Sequence, residues 1–103
     1  MLILVIDDDV DGADALAGLL TQSGHAVKVA YDGARALGLD VALAAGAAIL
    51  DLDMPGMDGY AVLRGLKNDP CTVNVPVIVL SGMSDSSDKV QAFELGATDY
   101  VTK

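Results

Sequence analysis

Cysteine is nearly absent from this 103-residue chain: Cys71 stands alone, so no internal disulfide can staple it, and a reducing compartment suits it. Tryptophan is missing and phenylalanine occurs once, which leaves the core to aliphatic side chains. With three prolines and no low-complexity tract or internal repeat, nothing marks a linker, and one domain is expected. Long hydrophobic runs are missing too. Leu2–Ile6 and Val75–Leu80 fall far short of the roughly 20 residues that span a bilayer, so no membrane association is expected. No secretory signal is expected either, because the apolar start runs directly into three aspartates, and a cytoplasmic location follows. Positive charge is scarce: 6 basic residues against 15 acidic ones give a net charge of −9. That balance argues against nucleic-acid binding, which depends on Lys and Arg contacts to phosphates.

What is present is apolar content and aspartate. At 52% hydrophobic the chain can bury a real core and is no acidic disordered tail. All of its acids except Glu94 are aspartates, which cap helices, form turns and ligate hard metals better than they sit inside helices.

Short apolar runs alternate with longer periodic segments. LILVI (2–6), AVKVA (26–30), AAIL (47–50), VPVIVL (75–80) and YVT (100–102) read as strands, three of them apolar almost throughout, as in parallel strands covered on both faces. Helices are expected over 11–23, with Ala13, Leu16, Ala17 and Leu20 on one face and Gly24 ending it. Further helices are expected over 33–45, over 58–69 with Val62, Leu63 and Leu66 inward, and over 86–95 with Val90, Phe93 and Glu94 at helical spacing. Strict alternation with right-handed crossovers gives an α/β fold, a parallel sheet with helices on both faces. Ligands in such sheets bind beyond the carboxyl ends of the strands.

The residues behind the apolar runs are Asp7-Asp8-Asp9, Asp51, Ser81-Gly82 and Lys103. Carboxylates gathered there repel by about 4 kcal/mol per pair at ~4 Å and an effective dielectric of ~20. A retained proton or a bound hard cation relieves that, and two or three carboxylates, a carbonyl and water suit octahedral Mg²⁺. A lysine and a hydroxyl facing the same cation would complete a clamp for phosphoryl oxygens. An aspartate behind a strand also serves as a helix N-cap, a role that suits Asp9 and Asp11.

ILVIDDD (3–9), ILDLDMPGMDGY (49–60), VPVIVLSG (75–82) and GATDYVTK (96–103), in that order and over essentially the whole chain, resemble the receiver domain of bacterial response regulators. The resemblance implies a flavodoxin-like doubly wound five-stranded parallel sheet of strand order 2-1-3-4-5. It makes Asp51 the phosphoacceptor, four positions before Pro55, and Asp7 and Asp8 the acidic pair holding Mg²⁺, with Mn²⁺ as an alternative. Asp53 would lend its backbone carbonyl to the metal, and Lys103 would pair with the phosphoryl group. Ser81 would be the hydroxyl that moves toward the phosphate, Gly82 the small residue keeping access open, and Tyr100 the aromatic switch that follows. Asp53 and Met83 would flank the path of the hydrolytic water, and apolar Met83 is expected to slow loss of the phosphate. The implied donor is a phosphohistidine on a sensor histidine kinase or phosphotransfer protein. A downstream effector would read the switched face. The domain would catalyse only its own phosphorylation and dephosphorylation.

The pattern has departures. Ser81 stands where threonine is commoner, and the chain stops at Lys103 where the family continues into a last helix. A domain lacking that helix is expected to leave apolar surface uncovered, favouring a homodimer, segment exchange or low stability. Asp7-x-Asp9-x-Asp11-Gly12 imitates half of an EF-hand loop, but its twelfth position is Gly18 rather than a bidentate glutamate. Asp51-Leu52-Asp53 resembles the nucleophile motif of haloacid-dehalogenase-type phosphatases, yet that motif usually opens the chain, and no room remains for a substrate cap. A pseudo-receiver that never takes phosphate is disfavoured by the full set of Asp7, Asp8, Asp51 and Lys103.

Overall fold

A strand in the middle of a parallel sheet must be apolar on both faces, and β1 (Leu2–Ile6) is: Leu4 and Ile6 enter one core and Ile3 and Val5 the other. The structure is a computed structural model that describes residues 2–31, 46–53, 59–70, 72–82 and 86–102. Following β1 are α1 (Val10–Gln22), β2 (Ala26–Ala30), β3 (Ala47–Asp51), α2 (Gly59–Asn68), β4 (Val77–Ser81), α3 (Ser86–Glu94) and β5 (Asp99–Thr102). The strands form one parallel sheet in the order β2-β1-β3-β4-β5, with Ile6 beside both Ala30 and Leu50, and Asp51 beside Leu80. This is the expected fold. The helix expected over 33–45 lies outside the described residues.

The larger core joins Leu4, Ile6, Leu50, Val77, Val79 and Tyr100 of the sheet to Val62, Leu63 and Leu66 of α2 and Ala92 of α3. On the opposite face Ala13, with Leu16 and Leu20 of α1, packs against Ile3, Val5, Val27, Val29 and Ile49. Both face assignments for α1 and α2 follow the apolar spacing. On that same face of the sheet, Ile78 and Leu80 are half-buried and Val101 is exposed.

Chain ends of the elements obey local chemistry. Gly24 (φ 95°) and Gly96 (φ 106°) occupy the left-handed region. Each closes a helix with the two backbone bonds of a Schellman motif: Gly24 N–H to Thr21 O and His25 N–H to Leu20 O, then Gly96 N–H to Phe93 O and Ala97 N–H to Ala92 O. Strand β4 begins at Val77 rather than Val75, because Val75 N–H turns back to Thr72 O and Pro76 has no N–H to offer the ladder. Pro70 likewise leaves the Leu66 carbonyl without its helical donor, and the buried Thr72 hydroxyl takes that place at 2.6 Å. Lys67 Nζ donates to Val73 O (3.2 Å) and Val75 O (2.7 Å), and burial pushes this ammonium below its usual pKa.

Two local expectations need correction. Helix α1 starts at Val10 with Asp9 at the N-cap, but the Asp9 side chain makes no capping bond; Asp11 sits in the first turn, where it complements the helix dipole. Val90 and Phe93 of α3 point outward, 55% and 41% exposed, while small Ala92 and Ala97 are buried. With Ala92 in the core, the helical period places Val90, two residues earlier, on the opposite side of α3. His25 is half-buried, and its Nδ1 is shielded without a hydrogen-bond partner among the described residues.

Candidate functional site

The carboxyl ends of β1, β3 and β4 meet at one edge of the sheet. Asp7 and Asp8 follow the last residue of β1, and the Asp7 N–H continues the ladder to Ala30 O at 3.0 Å. Asp51 is itself the last residue of β3, one residue longer than expected, because Leu52 N–H still reaches Leu80 O at 2.9 Å. It is only 3% exposed. One carboxylate oxygen from each of Asp7, Asp8 and Asp51 lies within 4.8 Å of the others.

Backbone amides orient two of these carboxylates. Asp9 N–H donates to Asp7 Oδ1 at 3.0 Å, and Asp53 N–H donates to Asp51 Oδ1 at 2.9 Å. At such separations the three anions repel by roughly 3 kcal/mol per pair. Held close by strand register, and hard-oxygen in character, they fit a hard divalent cation such as Mg²⁺.

Ser81 closes β4, 2% exposed, and Gly82 follows it at the same edge. Tyr100 is buried in the larger core, beside Val79 in the register of β4 and β5. Lys103 and Met83 lie outside the described residues. The sequence pattern therefore brings together Asp7, Asp8, Asp51, Asp53, Ser81 and Gly82, with Tyr100 one strand away.

Sequence reasoning missed two features. Asp53 was assigned its backbone carbonyl and the water path, but its carboxylate turns toward β4: Oδ1 accepts from the Ser81 hydroxyl at 3.2 Å and Oδ2 from Gly82 N–H at 2.6 Å. Gly59, at the start of α2, is buried under the site. A Cβ there would sit 2.8 Å from Leu52 Cα and 3.2 Å from the Asp51 carbonyl oxygen. A glycine at the close of the segment Asp51-Leu52-Asp53…Asp58-Gly59 was the available signal, since close backbone approach is a glycine role. Away from this edge, the Tyr31 hydroxyl donates to Asp14 Oδ1 at 2.7 Å, which ties the end of β2 to α1 and raises the Tyr31 pKa.

Comparison with known proteins agrees with this geometry. The family model of the response regulator receiver domain matches residues 3–103. The transcriptional regulatory protein KdpE of Mycobacterium tuberculosis is 48% identical over 99% of this chain and 44% of its own length. A Burkholderia pseudomallei response regulator solved with a phosphorylated aspartic acid, calcium ion and citrate superposes with a TM-score of 0.88 at 30% identity, covering 99% of this chain and 59% of that one. The Mn²⁺-bound response regulator Rcp1 gives 0.85 at 26%, covering 99% and 80%. The chain spans less than half the length of the curated relatives it matches.

Proposed function

The chain belongs to the response regulator receiver domains, the phosphoryl-accepting modules of two-component systems, and on that premise we propose that Asp51 is its phosphoacceptor. The observation that carries this reading is the convergence of Asp7, Asp8 and Asp51 within 4.8 Å at the sheet edge that also presents Ser81.

Receiver domains bind Mg²⁺ at such an acidic cluster, and Asp7, Asp8 and Asp51, with the Asp53 carbonyl, would hold it here. The bound ion supplies charge neutralisation for the transferring phosphoryl group. Asp51 contributes the nucleophile. A carboxylate is weak in that role, so rate must come from alignment, which the Asp53 N–H at Asp51 Oδ1 supplies by fixing the carboxylate plane. One Asp51 oxygen attacks phosphorus in line as the P–N bond to the donor histidine breaks, and the imidazole nitrogen keeps that electron pair. The product is an acyl phosphate on Asp51, later hydrolysed by water. Lys103 would pair with the phosphoryl oxygens, and the Ser81 hydroxyl would donate to one of them. Tyr100 would follow Ser81, changing the face that an effector reads. Met83 would tune the lifetime by positioning water poorly.

Response regulator receivers work between histidine kinases and downstream effectors, and some relatives carry enzymatic output domains. We assign this chain the signalling role, in the cytoplasm, with a sensor histidine kinase or phosphotransfer protein as donor. Among the described residues no helix is long and apolar enough to cross a membrane. The test is acetyl phosphate with and without Mg²⁺, followed by intact mass. One added phosphoryl group in the wild type, absent in Asp51→Asn or without Mg²⁺, is the expected result. An unmodified wild type would overturn the reading.

A further inference from the structure

Two donors at the end of β4, the Ser81 hydroxyl and the Gly82 N–H, converge on the two oxygens of one carboxylate, that of Asp53, at 3.2 Å and 2.6 Å. An O–H and an N–H aimed together at one anion form an anion-binding pair, and here the protein's own anion fills it. Asp53 is also tied to the phosphoacceptor, since its N–H holds Asp51 Oδ1 at 2.9 Å. A phosphoryl group on Asp51 would thus bring anionic oxygens next to a pair already in use. Both cannot hold these donors, and like charges so close repel.

We propose that Asp53 is an internal competitor for the phosphoryl group: its carboxylate latches Ser81 and Gly82 in the unphosphorylated domain, and phosphorylation of Asp51 must displace it. The inference rests on the phosphoacceptor reading of Asp51. Asp53 is here a positioning residue that acts through Ser81, distinct from any service of its backbone carbonyl to a metal. The latch opposes phosphorylation and holds Ser81 in its resting place until the modification arrives. Gly82 is part of the same fit, because a Cβ there would lie 3.2 Å from Asp53 Oδ2.

The experiment has a ligand-free arm and a ligand arm, and because Asp53 is exposed its variants keep the core intact. Without metal, the Gly82 amide proton should resonate far downfield in the wild type and move upfield in Asp53→Ala, with Asp53→Asn between them. An amide unmoved by Asp53→Ala overturns the latch. In the second arm, beryllofluoride is titrated with Mg²⁺ into wild type, Asp53→Ala, Ser81→Ala and the double variant. Asp53→Ala should bind about tenfold more tightly, and that gain should shrink in the Ser81→Ala background, where the Gly82 N–H is the one latch donor left to compete for. A gain that survives undiminished is a general charge effect and overturns the latch, as does no gain at all. Failure of every form to bind beryllofluoride overturns the phosphoacceptor reading, and the competition with it.

Discussion

Gly59 and Asp51 meet backbone to backbone: any Cβ at Gly59 would stand 3.2 Å from the Asp51 carbonyl oxygen and 2.8 Å from the neighbouring Leu52 Cα. The start of α2 is thus pressed onto the strand end that carries Asp51, the proposed phosphoacceptor. Neither partner is a flexible side-chain tip, so the strain cannot be relieved locally. Gly59→Ala should destabilise the domain by about 2–3 kcal/mol, or ~10 °C in Tm. It should also slow modification by acetyl phosphate, because Asp51 must shift. An alanine variant with unchanged melting temperature would show that α2 can slide freely.

The acidic triad predicts a stability effect of the opposite sign. Removing the charge of buried Asp51 leaves its shape and its acceptor for Asp53 N–H, while relieving repulsion from Asp7 and Asp8. In chelator, Asp51→Asn should therefore melt about 5 °C above the wild type, a gain of about 1 kcal/mol. Added Mg²⁺ should raise the wild type and close the gap, since a cation that binds only the folded form stabilises it by mass action. Thermal melts with and without Mg²⁺ measure both effects.

Alkaline pH should weaken the tie between β2 and α1. The hydrogen bond to Asp14 raises the Tyr31 pKa above its ordinary 10.0, so the folded protein holds this proton more tightly than the unfolded chain. A group of that kind contributes fully below pH 10.0 and loses its contribution as pH rises through the folded pKa. Denaturant midpoints of wild type and Tyr31→Phe should differ by a constant amount from neutral pH to about 10 and converge above it. A difference that persists at higher pH would assign the effect to packing instead.

Thr72 offers a test of the helix end at Pro70. Its hydroxyl is the donor that replaces the missing proline N–H at Leu66 O. Thr72→Val keeps the shape and leaves that buried carbonyl unpaired, so it should cost about 1–2 kcal/mol. Thr72→Ser, which keeps the donor, should recover most of that loss in the same unfolding measurement.

Much of this architecture was readable in the chain itself. The runs 2–6 and 47–50 are apolar at successive positions because both faces are covered, and strict alternation with helices then leaves only a parallel sheet. Gly24 and Gly96 announced two helix ends through a conformation that other residues avoid. Asp7, Asp8, Asp51 and Ser81 could be assembled on paper because parallel strands deliver the residues behind them to one edge.

Side-chain direction beyond the strands was not readable. Val90 and Phe93 are apolar at helical spacing, yet they face out while small Ala92 packs into the core. Asp53 looked like a backbone ligand beside a water path, and the tertiary structure turned its carboxylate onto Ser81 and Gly82, 28 and 29 residues away. Local sequence determines which elements form, where they stop and which edge collects the charges, because those depend on period, caps and register. Which donors an exposed aspartate takes, and which helix face closes against the sheet, depend on distances between elements, and only the packed structure sets those.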